Sequence, residues 1–342
     1  MTIDLRQNKV NLEPEQNSFT SDRRCARRWY VGGFWISLII FCLIAFVTYV
    51  MLSPVGAFAT PKIVDVQAGT PLSAIANNLK DAGIIRSASL LEIIAKTTGR
   101  DTRIIAGPYR FDGTDGMLTV LNRLSSGLHG IALVRITIPE GFTRAAIADT
   151  CAAVLPAFSR TAFLEETKEE EGFLFPDTYE FFETATSGDV AERLRATFAD
   201  RVAPLKQLPR PNGASFNDVV IMASIIEKEV SDPNDRRIVS GILWNRLAIG
   251  MPLQVDAVFQ YAIARGSAEL TQEDLRSDSP YNTYTRKGLP PTAIGSPSKD
   301  ALLAALQPIP TPYVYYLSGN DGTTHYAKTF EEHKLNKAKY LR

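Results

Sequence analysis

The chain has 342 residues, 45 % of them hydrophobic, with 37 basic and 37 acidic side chains and a formal net charge of zero. That length allows two or three modest domains, and the charge balance offers no general attraction to polyphosphate, which excludes nucleic acid as an expected partner. Cys25, Cys42 and Cys151 make no disulfide framework, His129, His325 and His333 form no metal-ligand cluster, and neither H-E-x-x-H nor C-x-x-C occurs. Neither a metal nor any other cofactor is therefore expected.

Residues 1–28 begin as a polar, patternless stretch and are expected to be a disordered cytoplasmic tail. Residues 29–52 follow, and from Val31 to Leu52 they read VGGFWISLIIFCLIAFVTYVML without a single charge. As a helix this run spans a hydrocarbon core of roughly 30 Å. Arg23, Arg24, Arg27 and Arg28 precede it and the next basic residue is Lys62, so the N-terminus is expected in the cytoplasm and the rest of the chain outside the cytoplasmic membrane. Ala57-Phe-Ala59 resembles a signal-peptidase site, but the apolar run exceeds a signal peptide's roughly 7–15 residues and follows a long polar stretch, so an uncleaved anchor is expected.

Residues 53–61 form a linker, and 62–130 have the pattern of a small α+β module. Ile63-Val-Asp-Val66 is a strand, and the helix with Leu72, Ile75, Ala76 and Leu79 ends at Gly83. A second helix, Ser89 to Thr97, stops at Gly99, and Gly107-Pro-Tyr-Arg-Phe111 is extended. A third helix, Met117 to Leu124, ends before Gly127.

Residues 131–342 form a larger α+β domain that opens on the alternating strand Val134-Arg-Ile-Thr-Ile-Pro139. Gly141-Phe-Thr-Arg-Ala-Ala-Ile-Ala148 echoes Gly69-Thr-Pro-Leu-Ser-Ala-Ile-Ala76, which suggests a repeated strand–turn–helix unit. Gly172-Phe-Leu-Phe-Pro-Asp-Thr-Tyr179, Leu253-Gln-Val-Asp256, and Pro280-Tyr-Asn-Thr-Tyr284 with Gly288-Leu-Pro-Pro291 combine rings with amide, hydroxyl or carboxyl groups. Such segments either pack as turns on a core or bind sugars, rings lying on the apolar pyranose faces and polar groups bonding hydroxyls.

The helix that carries the chemistry starts at Ser215 with Asp218 three residues on, a capping box, and runs apolar to Ile226 before Glu227-Lys-Glu229. At about 100° per residue, Glu227 lies on the side of Val220, Ala223 and Ser224, and Glu229 lies nearly opposite, beside Met222 and Ile225. The two carboxylates cannot share a site. Small neighbours leave room beside Glu227 for a cleft or ligand, and apolar surroundings keep a carboxyl protonated, so Glu227 is the expected general acid. Glu229 is expected to pair with a basic residue or face solvent; a solvated helix end is the bland alternative for the whole Glu-Lys-Glu segment.

These residues carry a family resemblance. The chain resembles the YceG/MltG-type endolytic murein transglycosylases through Glu171-Gly-Phe-Leu-Phe-Pro-Asp-Thr-Tyr179, Ala223-Ser-Ile-Ile-Glu-Lys-Glu229, Asn245-Arg-Leu247 with Met251-Pro-Leu-Gln-Val-Asp256, Tyr281-Asn-Thr-Tyr284 with Gly288-Leu-Pro-Pro291, and Glu332-His333. It differs at Ala293 and Ser298, where proline and glycine are more usual, and at Lys334, where asparagine usually follows the histidine. The resemblance implies a bacterial inner-membrane enzyme with a LysM-like domain and a periplasmic catalytic domain. It places the catalytic acid at Glu227 and substrate contacts at Gln254, Asp256, Tyr281, Asn282, Thr283 and Tyr284.

The implied reaction is non-hydrolytic cleavage of the MurNAc-β-1,4-GlcNAc bond, leaving 1,6-anhydro ends and limiting nascent strand length. Peptidoglycan glycan strands would be the substrate and peptidoglycan synthases the partners. If Asp256 supplied a second carboxylate, a muramidase that hydrolyses the same bond would result. A membrane-anchored binding scaffold without turnover is the alternative of another class.

Overall fold

The computed structural model describes residues 19–230, 232–263, 271 and 276–341, so residues 1–18 of the expected cytoplasmic tail lie outside the described residues. The chain divides into two units at Gly130/Ile131. The fold is mixed α and β, with one apolar N-terminal helix.

In the first unit that helix, α1 (Phe19–Leu52), begins ahead of the expected span, so residues 19–28 are helical where disorder was expected. From Phe34 to Leu52 none of it is buried, and it is long and apolar enough to cross a membrane. Its end is fastened down. Leu52 packs against the unit's core, Arg86 Nη2 donates to the Pro54 carbonyl at 2.9 Å, and the Gly56 and Phe58 N–H groups donate to the Gly113 and Asp112 carbonyls at 3.2 and 2.8 Å. Gly113 has a φ of +83°, and a β-carbon on it would lie 2.0 Å from the Gly56 carbonyl oxygen, so only glycine allows this approach.

β1 (Lys62–Val66) pairs antiparallel with β2 (Gly107–Phe111), with Lys62 opposite Phe111 and Val66 opposite Gly107. Two helices intervene, α2 (Leu72–Asp81) and α3 (Ala88–Thr97), the latter capped by the Ser87 hydroxyl accepting from the Leu90 N–H. α4 (Met117–Ser126) follows and ends on left-handed Gly127. Leu79, Leu91, Tyr109, Phe111 and Leu124 are its buried core.

The second unit opens with the same order: β3 (Leu133–Thr137), α5 (Arg144–Ala152), α6 (Arg160–Glu166) and β4 (Thr178–Phe182) antiparallel to β3. In both units a left-handed glycine, Gly69 or Gly141, turns the first strand into its helix. The sequence echo is thus part of a β-α-α-β arrangement that occurs twice. α7 (Ser187–Val202) follows, with a Thr186/Asp189 capping box.

The centre of the unit is α8 (Phe216–Glu229), which starts at the Ser215/Asp218 capping box and is buried all round from Val219 to Ile226. It packs among α9 (Pro233–Ala248), α10 (Asp256–Ile263) and α11 (Lys299–Leu306). A hairpin of β5 (Tyr315–Ser318) and β6 (Thr324–Ala327) then leads to α12 (Phe330–Tyr340).

Candidate active site

The last turn of α8 sends its two carboxylates to different places. Glu227 turns inward, its side chain 5 % exposed, and meets Arg236 Nη2 at 2.8 Å. Its other oxygen accepts from the Ser298 N–H at 2.8 Å and from the Ser298 hydroxyl. Arg236 also donates to the Val230 carbonyl at 2.7 Å and to Ser298 Oγ at 3.3 Å. Both Glu227 oxygens are therefore taken by donors that join the end of α8, the start of α9 and the N-cap of α11. The room beside Ala223 and Ser224 is filled by the returning chain, whose Ile294 N–H donates to Ser224 Oγ at 3.0 Å. This arrangement anchors chain segments to one another.

Glu229 faces a cleft of about 680 Å³ lined by Lys228, Arg246, Gln254, Asp256, Tyr284, Tyr315, Tyr316, His333 and Lys337. The Tyr316 hydroxyl donates to its Oε2 at 3.1 Å. It neither pairs with a basic residue nor sits in open solvent. Burial pushes its carboxyl above the usual carboxylate range. The Tyr316 hydrogen bond opposes this, the Asp256 charge adds to it, and the Ala257 N–H and the Arg246 charge pull the other way.

The cleft's walls come from separated parts of the sequence. Asp256, at the start of α10, accepts from the Tyr284 hydroxyl, and burial together with Asp256 holds that phenol protonated. Gln254, two residues earlier in the chain, has an unusual conformation for a non-glycine residue, with a φ of +50°. Thr283 fixes it: its carbonyl accepts from the Gln254 N–H at 2.9 Å and its hydroxyl accepts from the Val255 N–H at 3.0 Å. Arg246 reaches from α9 under the hairpin, donates from Nε to the Val314 carbonyl at 2.7 Å and lies over the Tyr315 and Tyr316 rings. α12 closes the far side with Phe330, His333 and Lys337, spaced to share one helix face. His333 stacks on Tyr315, 5.2 Å between ring centres. Burial, with the Lys337 and Arg246 charges, lowers its pKa and keeps it neutral.

Of the residues expected to bind substrate, Gln254, Asp256 and Tyr284 line this cleft. Asn282 and Thr283 are buried beneath it. Asn282 donates to the Ser277 carbonyl at 2.8 Å and accepts from the Tyr284 and Thr285 N–H groups, so both residues hold backbone. Tyr281 lies elsewhere, bonded to Thr292 at 2.9 Å and beside Tyr261, whose hydroxyl donates to buried Glu171 at 3.2 Å. The 172–179 segment is core, with Leu174, Phe175 and Tyr179 buried. Sequence alone assigns no site role to Arg246, although it lies in the Asn245-Arg-Leu247 motif, nor to Tyr315, Tyr316 and Lys337. The available signal was Tyr313-Val-Tyr-Tyr-Leu-Ser318 ahead of Asp321-Gly322, a strand and turn that announce a hairpin.

A buried carboxyl with a raised pKa, a second carboxylate nearby and aromatic walls are the equipment of enzymes that cleave glycosidic bonds. The chain belongs to the YceG-like family, whose model matches residues 64–339. It is 31 % identical over 305 residues to the endolytic murein transglycosylase of Bacillus subtilis (strain 168), covering 81 % of this chain and 84 % of that protein. The endolytic murein transglycosylase of Streptococcus pneumoniae serotype 2 (strain D39 / NCTC 7466) is 26 % identical, over 91 % of this chain and 66 % of the relative. A YceG-like protein of Listeria monocytogenes, known from its crystal structure, is 27 % identical with a TM-score of 0.49, over 81 % of this chain and 99 % of that one.

Proposed function

We propose that this chain is an endolytic murein transglycosylase whose general acid is Glu229. The observation that carries the assignment is that Glu229 is the carboxyl of α8 that opens on the cleft with a raised pKa, while Glu227 is locked between Arg236 and Ser298. Family membership and the B. subtilis and pneumococcal relatives support the substrate and the bond cleaved.

In the proposed reaction, protonated Glu229 gives its proton to the oxygen that links C1 of a muramyl residue to O4 of the next glucosamine. That bond breaks with an oxocarbenium-like centre at C1. The Glu229 carboxylate then takes the proton of the muramyl C6 hydroxyl as its oxygen bonds to C1, leaving a 1,6-anhydro end. One carboxyl serves twice and no water is consumed. Asp256, held by Tyr284, adds negative charge that favours the protonated form of Glu229 and the cationic centre at C1.

Around this site, α1 serves as the membrane anchor with the N-terminus in the cytoplasm, the four arginines before the span setting that direction. Residues 62–130 serve as a LysM-like glycan-holding domain, a reading supported by the β-α-α-β order of the first unit.

The test is to treat purified glycan strands with the full chain in detergent and with its Glu229→Gln and Glu227→Gln variants, and to read the ends by mass spectrometry. Anhydro ends from wild type and Glu227→Gln, lost in Glu229→Gln, are expected. Reducing ends would point instead to a muramidase using Asp256, and loss of cutting in Glu227→Gln alone would return the acid role to Glu227.

A further inference from the structure

The cleft holds more positive charge than its own carboxylates engage. Glu229 is bonded by Tyr316 and Asp256 by Tyr284. Arg246 spends its guanidinium on the Val314 and Leu253 carbonyls. Lys228 and Lys337 remain: both line the cleft, both are exposed, and among the described residues neither has an ion-pair partner. They differ in this from Lys334, elsewhere on α12, which pairs with Glu331 at 2.7 Å. Lys228 lies between the two glutamates in sequence, with the end of its stem and its ammonium against Gly141 at the edge of the cleft, and Lys337 follows His333 by one helical turn. The cleft is thus flanked by ammonium groups delivered from α8 and α12.

Sugar rings of murein are uncharged at their hydroxyl and acetamido groups, so they give a lysine ammonium nothing to neutralise it. The charged part of the polymer is the substituent on the muramyl lactyl group, either the carboxylates of a peptide stem or, where the stem has been removed, the lactyl carboxylate itself. We propose that Lys228 and Lys337 form a carboxylate subsite that reads the muramyl substituent, so that the cleft selects strands by what they carry as well as by their sugars. The subsite rests on the reading of this cleft as the murein-cleaving site.

The experiment compares kcat/KM for the full chain in detergent on three strand preparations: stems with free carboxylates, the same stems amidated, and strands stripped to the lactyl carboxylate. Wild type is expected to prefer charged over amidated stems by roughly fivefold, the scale of an exposed ion pair or two. The Lys228→Met/Lys337→Met double variant brings that ratio close to one, and added salt narrows it in wild type. Stripped strands cut like charged stems place the recognised group at the lactyl carbon, and stripped strands cut like amidated ones place it in the stem.

Equal wild-type kcat/KM on charged and amidated stems, or a ratio that survives the double variant, would overturn the subsite while cutting itself persists. Absence of cutting on every strand would overturn the enzyme reading instead. Co-sedimentation of the Glu229→Gln variant with the three preparations then tests the subsite without turnover, and equal binding to all three would overturn it.

Discussion

Glu227 and Glu229 stand two residues apart on one helix and have opposite surroundings. Around Glu227 every oxygen is matched to a fixed donor, from Arg236 or Ser298, and the returning 294–298 segment seals the space. Around Glu229 there are the Tyr316 phenol and the Ala257 N–H, a nearby carboxylate and an open cleft. Burial alone does not make an acid. A buried carboxylate with a full complement of donors is part of the framework, whereas one that is desolvated with fewer donors has its pKa raised.

The contrast breaks most decisively through Glu229→Gln, which should lower cutting by about 10²–10⁴-fold without a fall in thermal stability. Activity within tenfold of wild type would remove Glu229 from the reaction. Arg236→Met acts on the other side: it leaves the Glu227 carboxylate buried without its cation, which should cost about 3–5 kcal/mol in urea unfolding. A loss under 1 kcal/mol would mean the pair is not the anchor described.

A general acid works only while protonated, so cutting should fall as pH rises through the Glu229 pKa. Asp256→Asn removes a negative charge that raises that pKa, so the alkaline limb of the pH profile should move to lower pH. Tyr316→Phe removes a donor to the carboxylate and should move the same limb to higher pH. Shifts of the same sign in both variants would show that the limb belongs to another group. The smallest effect is expected at Gln254, where Gln254→Gly relieves a left-handed backbone and should raise the unfolding free energy by roughly 1 kcal/mol while weakening substrate binding. An unchanged or lower stability would argue against strain at that position.

What could be read from the sequence was local. Ser215 and Asp218 foretold the start of α8, its apolar circumference foretold burial, and the 3.6-residue period separated the two carboxylates correctly. Leu253-Gln-Val-Asp256 and Tyr284 stand out in the sequence for combining rings with polar groups and through the family resemblance, and Gln254, Asp256 and Tyr284 line the cleft. What failed depended on closure between distant segments. The small side chains of Ala223 and Ser224 predict room for a ligand, but Ser224 accepts from Ile294, 70 residues away, and the room is filled. Tyr316 meets Glu229 across 87 residues, a distance that no periodicity reports.

Residues 53–61 are fastened to the first unit. A free linker of that length would let whatever it carries wander over roughly 15–18 Å. The hydrogen bonds from Gly56 and Phe58 to the turn after β2, and from Arg86 to the chain just past α1, remove that slack. The joint behaves as a bracket and not as a leash: with α1 in a bilayer, the first unit stands at a set height above the lipid and turns only when the helix turns.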